Sequence, residues 1–151
     1  MIKNLELSIA INVQPSKIWK ALWDDKNYRE WVSVFFVGSY AVTDNWKVGS
    51  TVHFLGPDKS GIYSHIEKHI PNSYIEFKHI GNVINGKEQP LDDDTKKWTG
   101  STEIYKIEER NNVTTLKVEI DVMKEHLEFM TKTFPKALDV VKNICNQLPN
   151  Q

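Results

Sequence analysis

The sequence predicts an α+β domain: a curved antiparallel sheet of about six to seven strands wrapped around one long C-terminal helix, with two short helices after strand 1. Three observations carry that expectation. Residues 5–13 alternate apolar and polar. Residues 34–121 are strand-and-turn throughout, and residues 125–148 repeat apolar side chains at helical spacing.

The alternating start places Leu5, Leu7, Ile9, Ile11 and Val13 on one face. Period two is the signature of a half-buried strand. Pro15-Ser16 then opens a helix, since proline suits its first position. Ile18 and Leu22, and Trp19 and Trp23, are four apart and share faces. Asp24 to Asn27 breaks that helix, and a short second one carries Tyr28 and Trp31.

Val34 to Val42 is apolar and β-prone. Strands follow over 50–55, 62–70 and 73–80, the last two around Pro71-Asn72. Residues 81–97 form a long polar loop containing Asp92-Asp93-Asp94, three diverging carboxylates of a solvated turn. Strands over 98–108 and 113–122 close the set. In the final segment Leu127, Met130, Phe134, Leu138, Val141, Cys145 and Leu148 form one apolar stripe. Pro135 lies inside it, so a kink or a restart near Phe134 is expected. The long helix is the only element large enough to cover the sheet. Where the sheet curves away from it, a gap lined by large rings is expected.

Composition bounds the function. The chain has 151 residues, which fits one domain over 1–151. Nineteen Lys and Arg against 20 Asp and Glu leave a net charge of -1, which argues against nucleic acid as a partner. The single cysteine, Cys145, excludes an intrachain disulfide and a Cys-based zinc site. No signal-peptide run and no bilayer-length apolar stretch occur, so a cytoplasmic protein without membrane insertion is expected. Five Trp, five Tyr and six Phe carry most of the apolar surface.

Catalytic and metal signatures are missing. There is no glycine-rich phosphate loop and no His-Glu-x-x-His, so no cofactor, metal ligand or catalytic residue is assigned. His65 and His69 share a strand face but lie about 13 Å apart along an extended chain, too far for one metal ion. They read as solvated outer-face residues. His79 alternates onto the face of Ile75 and Phe77, as a satisfied core histidine or as a polar group inside an apolar cavity. Glu103 and Tyr105 share a face, and either face of their strand can be the inner one. Trp19 and Trp23 read as scaffold, and Trp31 as the cavity mouth. The expected lining is Trp31, Phe36, Phe54 and Phe77 with His79, Tyr105, Met130 and Phe134.

A series of residues resembles the START-like (SRPBCC, birch-pollen-allergen-like) superfamily. It begins at Pro15 to Leu22, then Trp46 and Gly49, Gly61-Ile62 with Ile66, and Pro71-Asn72. It continues through Ile75, Phe77, His79 and Gly81, then Trp98, Glu103, Tyr105 and Thr115-Leu116, and ends at Phe134 to Leu138. Within that superfamily the chain is most similar to stand-alone bacterial relatives of the activator of the 90-kDa heat-shock-protein ATPase. The resemblance implies the helix-grip fold over essentially the whole chain. It implies no single function, because fold and activity are separable. Three readings follow: a protein that binds a hydrophobic or aromatic small molecule between sheet and helix, a co-chaperone-like interaction module, and a cyclase- or hydratase-type enzyme using cavity His or Glu. A chaperone partner and a homodimer stay open.

Overall fold

The computed structural model describes residues 1–149. It opens with β1 (Ile2–Ala10), α1 (Pro15–Trp23), α2 (Asp25–Val32), β2 (Tyr40–Thr43) and β3 (Thr51–Leu55). A long hairpin follows, β4 (Gly61–Ile70) and β5 (Tyr74–Ile84), then a two-residue β6 (Lys87–Glu88) and a short α3 (Asp93–Lys96). β7 (Thr102–Arg110) and β8 (Val113–Met123) lead through a 3₁₀ turn into α4 (Leu127–Gln147). The strands form one antiparallel sheet in the order β1-β8-β7-β5-β4-β3-β2, with β6 paired to β5.

The inward rungs follow the alternation of the sequence. Leu7, Val118 and Tyr105 align across three strands, and Ile9, Leu116 and Ile107 form the next rung. α4 buries Phe134, Ala137, Leu138, Val141, Ile144 and Cys145 along one stripe. That stripe packs in the cluster that holds the sheet's inner side chains, so the sheet grips the helix as expected.

Several boundaries differ from the sequence reading. Strand 1 ends at Ala10, and Ile11 makes one more bond, to the Thr114 carbonyl at 2.9 Å. The second helix already begins at Asp25. Val34 to Ser39 is not a strand: the amides of Val34, Phe35 and Phe36 return to the carbonyls of Trp31 and Val32, continuing α2 as turns. Only Tyr40–Thr43 pairs. Residues 81–97 are shorter on loop than expected, because β5 runs on to Ile84 and turns back at Asn85-Gly86. Asp92 caps α3 by accepting from the Thr95 amide at 2.8 Å and its hydroxyl at 2.6 Å. Trp98 lies before β7, which starts at Thr102. α4 runs through Pro135 without a restart. Pro135 and Thr131 are both exposed, so the carbonyl that proline leaves unpaired is at the surface, where water can satisfy it.

Two irregularities in the β4–β5 hairpin matter for the site. Ile66 pairs with Phe77 but Lys68 with Glu76, so Glu67 is an extra residue on β4. Tyr63 pairs with Gly81 but Ser64 with His79, so Ile80 is an extra residue on β5. Between the two bulges the register is displaced by one. Close approach is enforced at Gly61, where a Cβ would fall 1.9 Å from the Phe54 carbonyl oxygen.

Candidate functional site

A cavity of about 540 Å³ lies between the curved sheet, α2 and the first half of α4. α2 contributes Tyr28, Trp31 and Val32, β3 contributes Phe54, and β7 contributes Glu103 and Tyr105. Ile120 of β8 and Met130 and Phe134 of α4 close the far side. The cavity opens past Phe36, which is 63% exposed, and Asp58.

Seven of the eight expected residues border this space: Trp31, Phe36, Phe54, His79, Tyr105, Met130 and Phe134. Phe77 does not. It is fully buried behind Phe54, with ring centroids 5.2 Å apart, and packs edge-on against Trp23 at 5.5 Å. Trp31 is wall and not mouth. It is 2% exposed, and its indole N–H donates to the Leu22 carbonyl at 2.9 Å. Phe36 occupies the rim instead. Trp19 and Trp23 are packed as scaffold, 6.2 Å apart.

One end of the cavity is polar. Glu103 and Tyr105 face inward, which settles the orientation of β7. Glu103 accepts at one carboxylate oxygen from the Tyr105 hydroxyl and at the other from His79 Nε2, 3.3 Å away. On its opposite side His79 Nδ1 lies 2.6 Å from Ser64 Oγ. With the ring proton on Nε2, Nδ1 accepts from the Ser64 hydroxyl, and the donations from Ser64 through His79 and from Tyr105 converge on the Glu103 carboxylate. Ser64 is fully buried and His79 is 7% exposed, whereas the Glu103 side chain keeps 21% exposure toward the cavity. Burial pushes the Tyr105 and Tyr28 hydroxyls well above the ordinary phenol range, and the charge of Glu103 pushes them further. Both therefore remain donors.

Ser64 and Tyr28 are absent from the residues the sequence singled out. Tyr28 was visible as a helix aromatic three residues before Trp31. Ser64 was not, because the bulge at Glu67 shifts the register that brings it opposite His79. The two strand histidines also separate: His65 stays outside, but the bulge at Glu67 turns His69 inward opposite Ile75, where it stacks on Trp19 at 5.8 Å. Cys145 is buried on the α4 stripe, and burial raises its thiol to about 11. Among the described residues no three His, Cys, Asp or Glu side chains group as metal ligands, and no helix is long and apolar enough to cross a membrane.

No protein-family model and no curated protein matches the chain. Solved structures do. The Aha1 dimer from Colwellia psychrerythraea is similar with a TM-score of 0.65 at 21% identity, over 93% of this chain and 94% of that one. CalU16 from Micromonospora echinospora gives 0.66 at 14% identity, over 97% of this chain and 78% of that one. NE0264 from Nitrosomonas europaea gives 0.67 at 8% identity, over 95% and 94%. At these identities the likeness is one of fold. The chain has the START-like, Aha1-like helix-grip fold.

Proposed function

We propose that the protein binds a small, largely apolar or aromatic molecule in the cavity between sheet and α4, with the ligand's polar group directed at Glu103. The observation that carries this reading is a space of about 540 Å³ with ring-lined walls and one convergent polar cluster. Apolar walls with a few placed polar groups are the usual build of a small-molecule site. Calorimetric titration with 2-naphthol tests it. Saturable binding is expected in the wild type, and at least tenfold weaker binding in Met130→Trp, which fills the space from α4. Equal affinity in the two proteins would refute the reading.

Native mass spectrometry of protein purified from its own host is expected to reveal a retained molecule. The same spectra count subunits. Two copies are expected, because Phe36 and Val37 are 63% and 78% exposed beside the mouth and the similar Colwellia protein is a dimer.

The bonded chain from Ser64 to Tyr105 favours a second reading, an enzyme in which Glu103 takes a proton from the bound molecule while the Tyr28 hydroxyl donates a hydrogen bond to it. Neither Ser64 nor Cys145 serves as a nucleophile there, since both are fully buried and border no part of the cavity. Turnover of a bound molecule that Glu103→Gln abolishes while binding persists would establish the enzyme reading, and unchanged turnover would remove it.

A further inference from the structure

The charge of the cavity lining is one-sided. Glu103 stands at its inner end and Asp58 at its mouth, and among the described residues that line it there is no lysine or arginine. Composition does not explain this, because the chain carries 19 Lys and Arg. Arg29 does reach the lining ring of Tyr40, at 4.9 Å from its centroid, but its guanidinium is held by Asp25 at 3.0 Å. Among the described residues, the only nitrogen paired with Glu103 is that of His79. Two donors, Tyr105 and His79, hold the carboxylate in place and leave lone pairs directed at the cavity.

The rings add to the same sign. Eight aromatic side chains border the space. Around the polar end they stand across one another: Trp31 is inclined at 81° to Tyr28 and at 60° to Tyr105, with centroids 5.3 and 6.2 Å away. Crossed rings present π faces, whose quadrupole is negative, as well as edges. A carboxylate or phosphate ligand would meet Glu103 without a counter-charge and would lose its hydration uncompensated. A neutral ligand would leave the field unused.

This rests on the cavity reading above and narrows it. We propose that the ligand is an organic cation, an amine on an aromatic or apolar frame whose ammonium lies between the Glu103 carboxylate and the faces of Tyr28, Trp31 and Tyr105. Three probes with one ring system and different head groups separate the alternatives by calorimetry: 2-naphthylmethylamine, 2-naphthylmethanol and 2-naphthoate. The amine is expected to bind at least tenfold more tightly than the alcohol, with the carboxylate weakest. In Glu103→Gln, the advantage of amine over alcohol, measured within the variant, is expected to fall below threefold. If the alcohol or the carboxylate binds as tightly as the amine to the wild type, the cation is overturned and the cavity reading stands. If the amine keeps its advantage in Glu103→Gln, the role of that carboxylate is overturned. If none of the three binds, the cavity reading falls and the cation with it.

Discussion

On one side of Phe77 the aromatic rings close up, and on the other they stand apart. Trp23, 9% exposed, contacts the rings of Tyr105 at 4.9 Å, Phe77 at 5.5 Å and Trp46 at 5.6 Å, with Trp19, Tyr28 and Trp31 slightly farther out. Across Phe77, the rings of Trp31, Phe54 and Phe134 enclose space instead of filling it. The residue types are the same in both regions. The supports differ. The Trp23 region is held by ring-on-ring packing under α1. The cavity walls are held from behind at two points, Trp31 by its bond to Leu22 and Phe54 by Phe77. An aromatic-rich core becomes a cavity where its rings are fixed by partners outside the space they border.

Three measurements break or sharpen that contrast. The largest effect is expected from the packed side. Phe77→Ala is predicted to destabilise the protein by about 3–5 kcal/mol, the range for a buried phenylalanine that leaves a void. Phe54→Ala, half-buried on the cavity wall, is predicted to cost about half of that or less. Equal losses in urea denaturation would erase the distinction between the two regions.

A smaller loss is expected at the polar end. Ser64→Ala leaves His79 Nδ1 buried without its partner and is predicted to cost about 1–3 kcal/mol. A neutral result would show that the Ser64–His79 bond contributes nothing to holding the cluster.

The smallest effect near neutrality comes from the two buried tyrosines. Their hydroxyls are raised, so the folded state keeps protons that the unfolded state releases. The sign is then fixed: their contribution is whole below the ordinary phenol pKa of about 10 and declines above it, by about 1.4 kcal/mol per pH unit for each. Alkaline titration followed by near-ultraviolet absorbance should show Tyr28 and Tyr105 silent until unfolding, while Tyr74, half-buried and beside Glu76, ionises near 12. Ionisation of Tyr28 or Tyr105 in the native protein at ordinary phenol pH would place those rings in contact with water.

Much of the fold was legible because period-two alternation survives along β1, β7 and β8, and a 21-residue stripe marks α4. The segment after α2 was misjudged because a short apolar run has no period long enough to separate strand from turn. Within the hairpin, counting back from the turn at Asn72 gives His65 as the partner of His79. The bulge at Glu67 displaces that count by one and substitutes Ser64. A polar pair created by an inserted residue leaves no trace in alternation, which is why Ser64 escaped notice while His79 did not. Glu103 and Tyr105 were visible as a pair, but a strand with apolar Ile104 between them offers two faces, and only pairing with β5 and β8 selects one.

The bond from Trp31 to the Leu22 carbonyl has one more effect. An indole whose only donor is already engaged offers a guest no hydrogen bond of its own. Its rotamer is fixed before binding, so an incoming molecule does not bear the ordering cost of about 0.5–1.5 kcal/mol that a loose side chain would impose. Selection along that wall is therefore by shape. Hydrogen-bond selection falls to the polar groups beside it, Glu103 first among them.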